Sequence, residues 1–218
     1  MRDSEIQIDS YSSSIERINY DLSKVCYNND WFFLWGDVDS LMTENCSLFL
    51  MDKLFSGREI ATIFICSAGG SEDDARGLMS IIEHCKTQGL TIRMFGAGLV
   101  ASAAFDIFIA GSKGWRFVNE FTMFMTHSSS VETRDKAAIR LQEYLDEYSL
   151  QYYTRIHKKT RERYLETGNW YFSADEGLGF GACDAVIKPG MKLPDKPVTK
   201  RTVDKIEEKV DDVGKSVP

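Results

Sequence analysis

Residues 60–95, IATIFICSAGGSEDDARGLMSIIEHCKTQGLTIRMF, decide the fold class. Ile60 to Cys66 is an unbroken apolar run of strand length. From Glu72 to Lys86 the apolar residues recur at helical spacing, with Leu78, Ile81 and Ile82 inward, and Thr91 to Phe95 reads as a second strand. Strand, helix and strand in succession build parallel sheets. The cycle also runs upstream of this stretch. Trp31 to Trp35 is a short buried strand ended by Gly36, followed by Leu41, Leu48, Met51, Leu54 and Phe55 at roughly helical spacing before Ser56-Gly57 stops the pattern.

Downstream, Ser102 to Ala110 is apolar and helix-compatible, ended by Gly111, and Trp115–Val118 and Thr122–Thr126 are short strand candidates. From Thr133 to about Glu166 no Gly or Pro interrupts, and Leu141, Leu145, Tyr148, Tyr152 and Ile156 form a helical stripe flanked by charge. Ser173-Ala-Asp-Glu176 is a capping box opening a short helix, and Ala185-Val-Ile187 is a closing strand. No internal repeat is visible. The expected fold class is α/β.

Composition sets the boundaries. All four prolines, Pro189, Pro194, Pro197 and Pro218, lie in the last 31 of the 218 residues, which divides the chain into a body and a tail. The tail, 188–218, is weakly basic and is expected to be disordered, although Val203, Ile206, Val210 and Val213 keep helical spacing. The net charge of the whole chain is −7, so the body is more acidic still, which argues against a nucleic-acid surface. Five widely spaced cysteines, Cys26, Cys46, Cys66, Cys85 and Cys183, without a C-x-x-C pair, suit reduced core thiols in a cytoplasmic compartment. The N-terminus carries early acidic residues and no apolar run, and nowhere do eighteen apolar residues run together, so neither a signal peptide nor a membrane span is expected.

Three features could carry chemistry. Ser67-Ala-Gly69-Gly70 follows a strand; a glycine pair leaves backbone N–H groups uncovered, as an oxyanion cradle requires, or simply makes a turn. Gly96-Ala-Gly98-Leu-Val-Ala-Ser102 places a serine at a helix start, either as an N-cap or as a nucleophile in the positive field of the helix end. The spacing is not that of a G-x-S-x-G elbow, and the two glycines lack the third of a dinucleotide fingerprint. Met123-Phe-Met-Thr-His127 ends an apolar strand with a histidine placed either as a base or as a structural residue; His84 falls within a helix and His157 among basic residues. No histidine, cysteine or carboxylate grouping has metal-ligand spacing.

In order and spacing these segments resemble the proteolytic subunit of the Clp protease (ClpP), a serine peptidase family of crotonase-like fold. The likeness runs from about Trp31 to Ile187: Ser67-Ala-Gly-Gly70 resembles S-P-G-G, and Gly98-Leu-Val-Ala-Ser102-Ala-Ala resembles G-x-A-A-S-M-G. Ala110-Gly-Ser-Lys-Gly-Trp-Arg-Phe117 is similar to A-G-x-K-G-x-R-F, and Met125-Thr-His127 to M-I-H. The resemblance implies a ββα superhelix with a protruding long handle helix, divided as an N-terminal segment 1–30, a peptidase domain 31–187 and the tail. It implies Ser102 as nucleophile, His127 as general base, and the N–H groups of Gly70 and Ala103 as oxyanion hole. The family's acid, in D-R-F-L-S-A, is Asn169 here, which can orient an imidazole without stabilising its charge. Asp106 and Glu166 are nearby carboxylates in sequence, either of which substitutes only if the fold brings it to His127.

Other positions depart from the family: Ala68 replaces the proline before the glycine pair, His127-Ser-Ser stands for H-Q-P, and Ser128 to Arg134 replace the glycine-rich strand before the handle. Phe64 and Phe117 have counterparts among the family's unfoldase-docking aromatics, whereas Thr62 stands where an aromatic is usual. The implied function is a serine endopeptidase without a cofactor, of reduced activity, acting on unfolded chains or peptides. Its implied partners are copies of itself in a heptameric ring, single or stacked in pairs, or paralogous subunits, with an AAA+ unfoldase as a further partner. The alternative is a catalytically silent structural or regulatory subunit of a mixed ring. An acyl-CoA enzyme of the same fold is a third reading, which would not require a serine and a histidine at this spacing.

Overall fold

The computed structural model describes residues 24–127, 135–153 and 168–198. A helical turn at 24–28 precedes β1 (Trp31–Val38), α1 (Ser40–Phe55), β2 (Ile60–Gly70), α2 (Glu72–Thr87), β3 (Thr91–Ala101) and α3 (Ala103–Ile109). Then come β4 (Arg116–Asn119), β5 (Met123–Thr126), α4 (Lys136–Tyr153), β6 (Trp170–Ser173), α5 (Ala174–Phe180) and β7 (Ala185–Ile187). The α/β expectation holds. The strands order as β1-β2-β3-β4-β7, each pair parallel, while β5 runs parallel to the end of β3 and carries β6 antiparallel on its far side.

The β3 strand serves two partners. Met94–Gly96 pair with β4 and Leu99–Ala101 with β5, so the glycines at 96 and 98 mark the point where the sheet splits. The C-terminal ends of β2, β3 and β5 thereby converge on one edge, where parallel α/β sheets commonly hold their sites.

One face of the sheet packs on the helices. Ala61, Ile63 and Ile65 of β2 and Ile92 and Met94 of β3 are fully buried against Phe49, Leu50, Leu78, Ile82 and Phe108. Each large side chain of this set contributes roughly 1.5–3 kcal/mol through burial. The opposite face carries an aromatic ladder, since Phe33, Phe64, Phe95 and Phe117 are successive partners across four strands. Helix α2 is capped by Ser71, whose hydroxyl accepts from the Asp74 N–H. Its first turn is acidic and its last turn basic, so both ends complement the helix dipole.

Several expectations need adjustment. The apolar repeat of α1 is divided between two faces: Leu41, Leu48 and Phe55 are 66%, 62% and 80% exposed, Met51 and Leu54 pack half-buried against the core, and the fully buried stripe is Thr43, Cys46, Phe49, Leu50 and Lys53. Gly36 does not end β1 but sits at a bulge with φ +91°, beyond which Asp37 and Val38 pair with Gly69 and Gly70. The strand β6 was not anticipated. Of the long helix, Lys136–Tyr153 are helical, and the remainder to Glu166 lies outside the described residues, as do the glycine-poor stretch 128–134 and the segment 1–23.

Residues 188–198, the start of the tail, lie on the body. The Val198 N–H donates to the Gly114 carbonyl (2.8 Å), and Met191, Leu193 and Val198 pack with Trp115 and Phe117. The loop beneath them is fixed by Asp184, whose carboxylate accepts from the N–H groups of Gly114 and Arg116 and from the Arg116 guanidinium (2.8–3.0 Å). The helical spacing at 203–213 falls outside the described residues.

Candidate active site

Ser102 joins β3 to α3, and its backbone adopts φ 53°, ψ −130°, a region L-residues seldom occupy. Three backbone bonds hold it there: the Ser102 N–H donates to the Met125 carbonyl (2.8 Å), and the Ser102 carbonyl accepts from the N–H groups of Phe105 (2.8 Å) and Asp106 (3.2 Å). Although Ser102 occupies the N-cap position of α3, its hydroxyl makes no capping bond. It faces His127 instead, with Oγ 2.8 Å from Nε2. The parallel register of β3 and β5 brings this about, since Ala101 pairs with Met125, Ser102 follows Ala101 by one residue and His127 follows Met125 by two.

The glycine pair lies against the serine. A Cβ built on Gly69 would stand 2.7 Å from Ser102 Cβ and 3.2 Å from the Ala103 N, so only glycine fits, and its φ of +104° requires glycine as well. Gly70, at φ +153°, is packed as closely on Val38, where a Cβ would lie 2.2 Å from the carbonyl oxygen. Ala103 begins α3 and is buried. The Ser67-Ala-Gly-Gly70 segment stands out in the sequence for its glycine pair, but the contact of Gly69 with Ser102 is a product of topology.

Asn169 precedes β6 and is exposed. Thr126 and Trp170 are the last pair of the β5–β6 ribbon, and His127 and Asn169 are the next residues on its two strands. Among the described residues, His127 makes one side-chain hydrogen bond, that to Ser102. Asp106 lies one turn along α3, its N–H donating to the Ser102 carbonyl (3.2 Å), and Glu166 lies outside the described residues. The ribbon beneath is rigid: Phe105, Phe124 and Phe172 form mutual ring contacts at 5.2–5.6 Å.

Away from this edge, Phe64 is half-buried between the rings of Phe33 (5.0 Å), Trp35 (6.0 Å) and Phe95 (5.2 Å). Phe117 is fully buried, so the open part of the ladder is Phe33, Trp35 and Phe64. At the position of the missing aromatic, the Thr62 hydroxyl accepts from Arg93 Nε (3.0 Å), and the Arg93 guanidinium lies 5.7 Å from the Trp31 ring. All five cysteines are free thiols. Among the described residues no helix is long and apolar enough to cross a membrane, and no group of three or more His, Cys, Asp or Glu side chains is arranged to hold a metal ion.

Comparison with known proteins bears on this edge of the sheet. The chain is 29% identical over 208 residues to the ATP-dependent Clp protease proteolytic subunit 3, chloroplastic, of Arabidopsis thaliana, a match covering 88% of this chain and 66% of that protein. The chain thus spans just under two thirds of that relative's length. Its fold is that of an Asn-to-Asp mutant of ClpP1 from Listeria monocytogenes, with TM-score 0.69 and 21% identity, covering 78% of this chain and 97% of the other. The ClpP protease catalytic domain from Plasmodium falciparum is similar, with TM-score 0.66 and 22% identity over 80% of this chain and 94% of that one. The family described as Clp protease matches residues 14–190, a span that contains every element of the sheet and both members of the Ser102–His127 pair. Matched over most of its length, the chain belongs to the Clp protease family.

Proposed function

We propose that the chain is a serine-type endopeptidase subunit that hydrolyses peptide bonds of unfolded proteins or peptides, with Ser102 as nucleophile and His127 as general base. The observation that carries this reading is the 2.8 Å approach of Ser102 Oγ to His127 Nε2, with the hydroxyl turned away from its own helix. In the reaction, Ser102 Oγ attacks the scissile carbonyl while its proton passes to His127 Nε2. The resulting oxyanion is held by the N–H groups of Gly70 and Ala103, and His127 returns the proton to the leaving amine. Water then attacks the acyl-Ser102 ester, His127 again taking and returning the proton, and the acid product leaves. The residues supply this chemistry without a cofactor.

Asn169 fills the third place. Its amide oxygen can accept from the His127 Nδ1–H and fix the ring, but it brings no charge to the imidazolium, so the rate is low beside that of a Ser-His-Asp enzyme. The alternative, a catalytically silent subunit of a mixed ring, is favoured by one observation: Asn169 makes no bond to His127 among the described residues.

Assembly follows from surface. Leu41, Leu48 and Phe55, seven residues apart on α1, are an exposed apolar stripe of the kind that copies or paralogues cover in a ring, heptameric by family likeness. The open aromatics around Phe64, with Phe117 supporting them from the core, are the candidate contact for an AAA+ unfoldase. Free thiols suit a reducing, cytoplasmic location. The test is hydrolysis of a fluorogenic peptide by the assembled protein: activity lost in Ser102→Ala supports the peptidase, and equal rates in both reject it.

A further inference from the structure

We propose that Ser67 is a positioning residue for the oxyanion-binding backbone, an inference that rests on the peptidase reading above. The pairing of β2 is interrupted just before its last residues, Gly69 and Gly70, rejoin β1 at Asp37 and Val38. Its pairing with β3 slips between Ile65 and Ser67, and its pairing with β1 slips between Trp35 and Asp37, so regular ladder bonds are interrupted on both sides of residues 66–68. Ala68, exposed at this point, has no ring to fix its φ, and Gly69 and Gly70 follow at φ +104° and +153°. The N–H assigned to the oxyanion, that of Gly70, therefore follows a break in the ladder and a glycine of wide backbone freedom.

The tether is the Ser67 hydroxyl. It is 4% exposed and accepts from the Gly69 N–H at 3.0 Å, closing a turn over Ala68. On the far side of that turn Gly69 is pressed on Ser102, and beyond it the Ser71 N–H is bonded to the Val38 carbonyl at 2.7 Å. Both ends of the Gly69–Gly70 peptide are thus held, the Gly69 end by Ser67 and the Gly70 end by Val38. Without the hydroxyl, the Gly69–Gly70 peptide is released to rotate about Ala68 and Gly69, and the N–H assigned to the oxyanion moves with it. A proline at 68 would supply part of the same restraint by another route, which makes the idea testable by rescue.

The experiment measures fluorophosphonate labelling of Ser102 together with kcat and KM for a fluorogenic peptide, in the full-length assembled protein. Ser67→Ala and the nearly isosteric Ser67→Cys, a weak acceptor, should each lower the labelling rate and kcat about 10-fold with KM within about twofold of wild type. Ser67→Thr, which keeps an acceptor, should stay within about threefold of wild type, and Ala68→Pro added to Ser67→Ala should recover part of the loss. Unchanged rates in folded Ser67→Ala and Ser67→Cys, a loss confined to KM, or no recovery on adding Ala68→Pro would overturn the proposal. Absence of Ser102-dependent labelling in the wild type is a separate result, which removes the peptidase reading and this role with it.

Discussion

His127 and Asn169 are the first residues beyond the last pair of the β5–β6 ribbon: Met125 pairs with Tyr171 and Thr126 with Trp170, and each of the two follows on its own strand. On the proposal that position 169 supplies the third group, an aspartate there would offset the charge of the imidazolium. Replacement of aspartate by asparagine in such a triad costs on the order of 10⁴ in kcat. Asn169→Asp is therefore expected to raise kcat for peptide hydrolysis at least about 100-fold with little change in KM. An unchanged rate would place the orienting group elsewhere.

The backbone at Ser102 is a second point of attack. Its φ of 53° with ψ of −130° costs on the order of 1–3 kcal/mol for a residue with a side chain. Ser102→Gly should abolish hydrolysis yet raise the unfolding free energy by about 1 kcal/mol, read from denaturant midpoints at constant m. Gly69→Ala should do the reverse on stability, because the new methyl group meets Ser102 Cβ at 2.7 Å. Equal stability of Ser102→Gly and wild type would argue that the strain is relieved in solution.

Thiol reactivity reports the packing. Burial pushes the Cys183 thiol up to about 12 and raises Cys46 and Cys85 above the ordinary thiol value, whereas Cys26 and Cys66 are only partly covered. A disulfide reagent should modify at most Cys26 and Cys66 in the native protein and all five thiols after denaturation. The linked pH effect has a definite sign: the unfolded thiols ionise near pH 9 while the native ones stay protonated. Their stabilisation is complete below that pH and is lost as the pH rises towards 12. The melting temperature should accordingly be flat below about pH 8.5 and fall above it.

The stripe on α1 addresses assembly. Leu48 is 62% exposed on a helix whose core face is elsewhere, so Leu48→Glu should leave the fold intact by circular dichroism. In sedimentation velocity the wild type is expected as a ring-sized particle and the variant as smaller species. A monomeric wild type would contradict the ring.

Much of this was legible in the chain, for physical reasons. The β2-α2-β3 unit could be read because buried parallel strands are continuous apolar runs and α2 is amphipathic with a clear cap. Ser102 and His127 could be read because each follows a strand in a segment with family likeness. The face of α1 could not, since Thr43 and Lys53 are buried there while Leu41 and Leu48 are exposed. Lys53 is retained inside by the Tyr27 carbonyl (2.7 Å) and Asp30 (3.4 Å), partners distant in sequence. The β6 strand is four residues of mostly aromatic sequence whose partner is β5, far away in the chain, so no local period announces it. The packing of Met191, Leu193 and Val198 was hidden by proline and charge, which mark a boundary in composition without excluding apolar anchors between them.

The central claim is that Ser102 is a nucleophile activated by His127. Intact-mass measurement after treatment with a fluorophosphonate, followed by peptide mapping, tests it most directly. One adduct per chain on Ser102, absent from Ser102→Ala and strongly slowed in His127→Ala, is the predicted result. No adduct in the assembled wild type, or one that persists in Ser102→Ala, would contradict the claim.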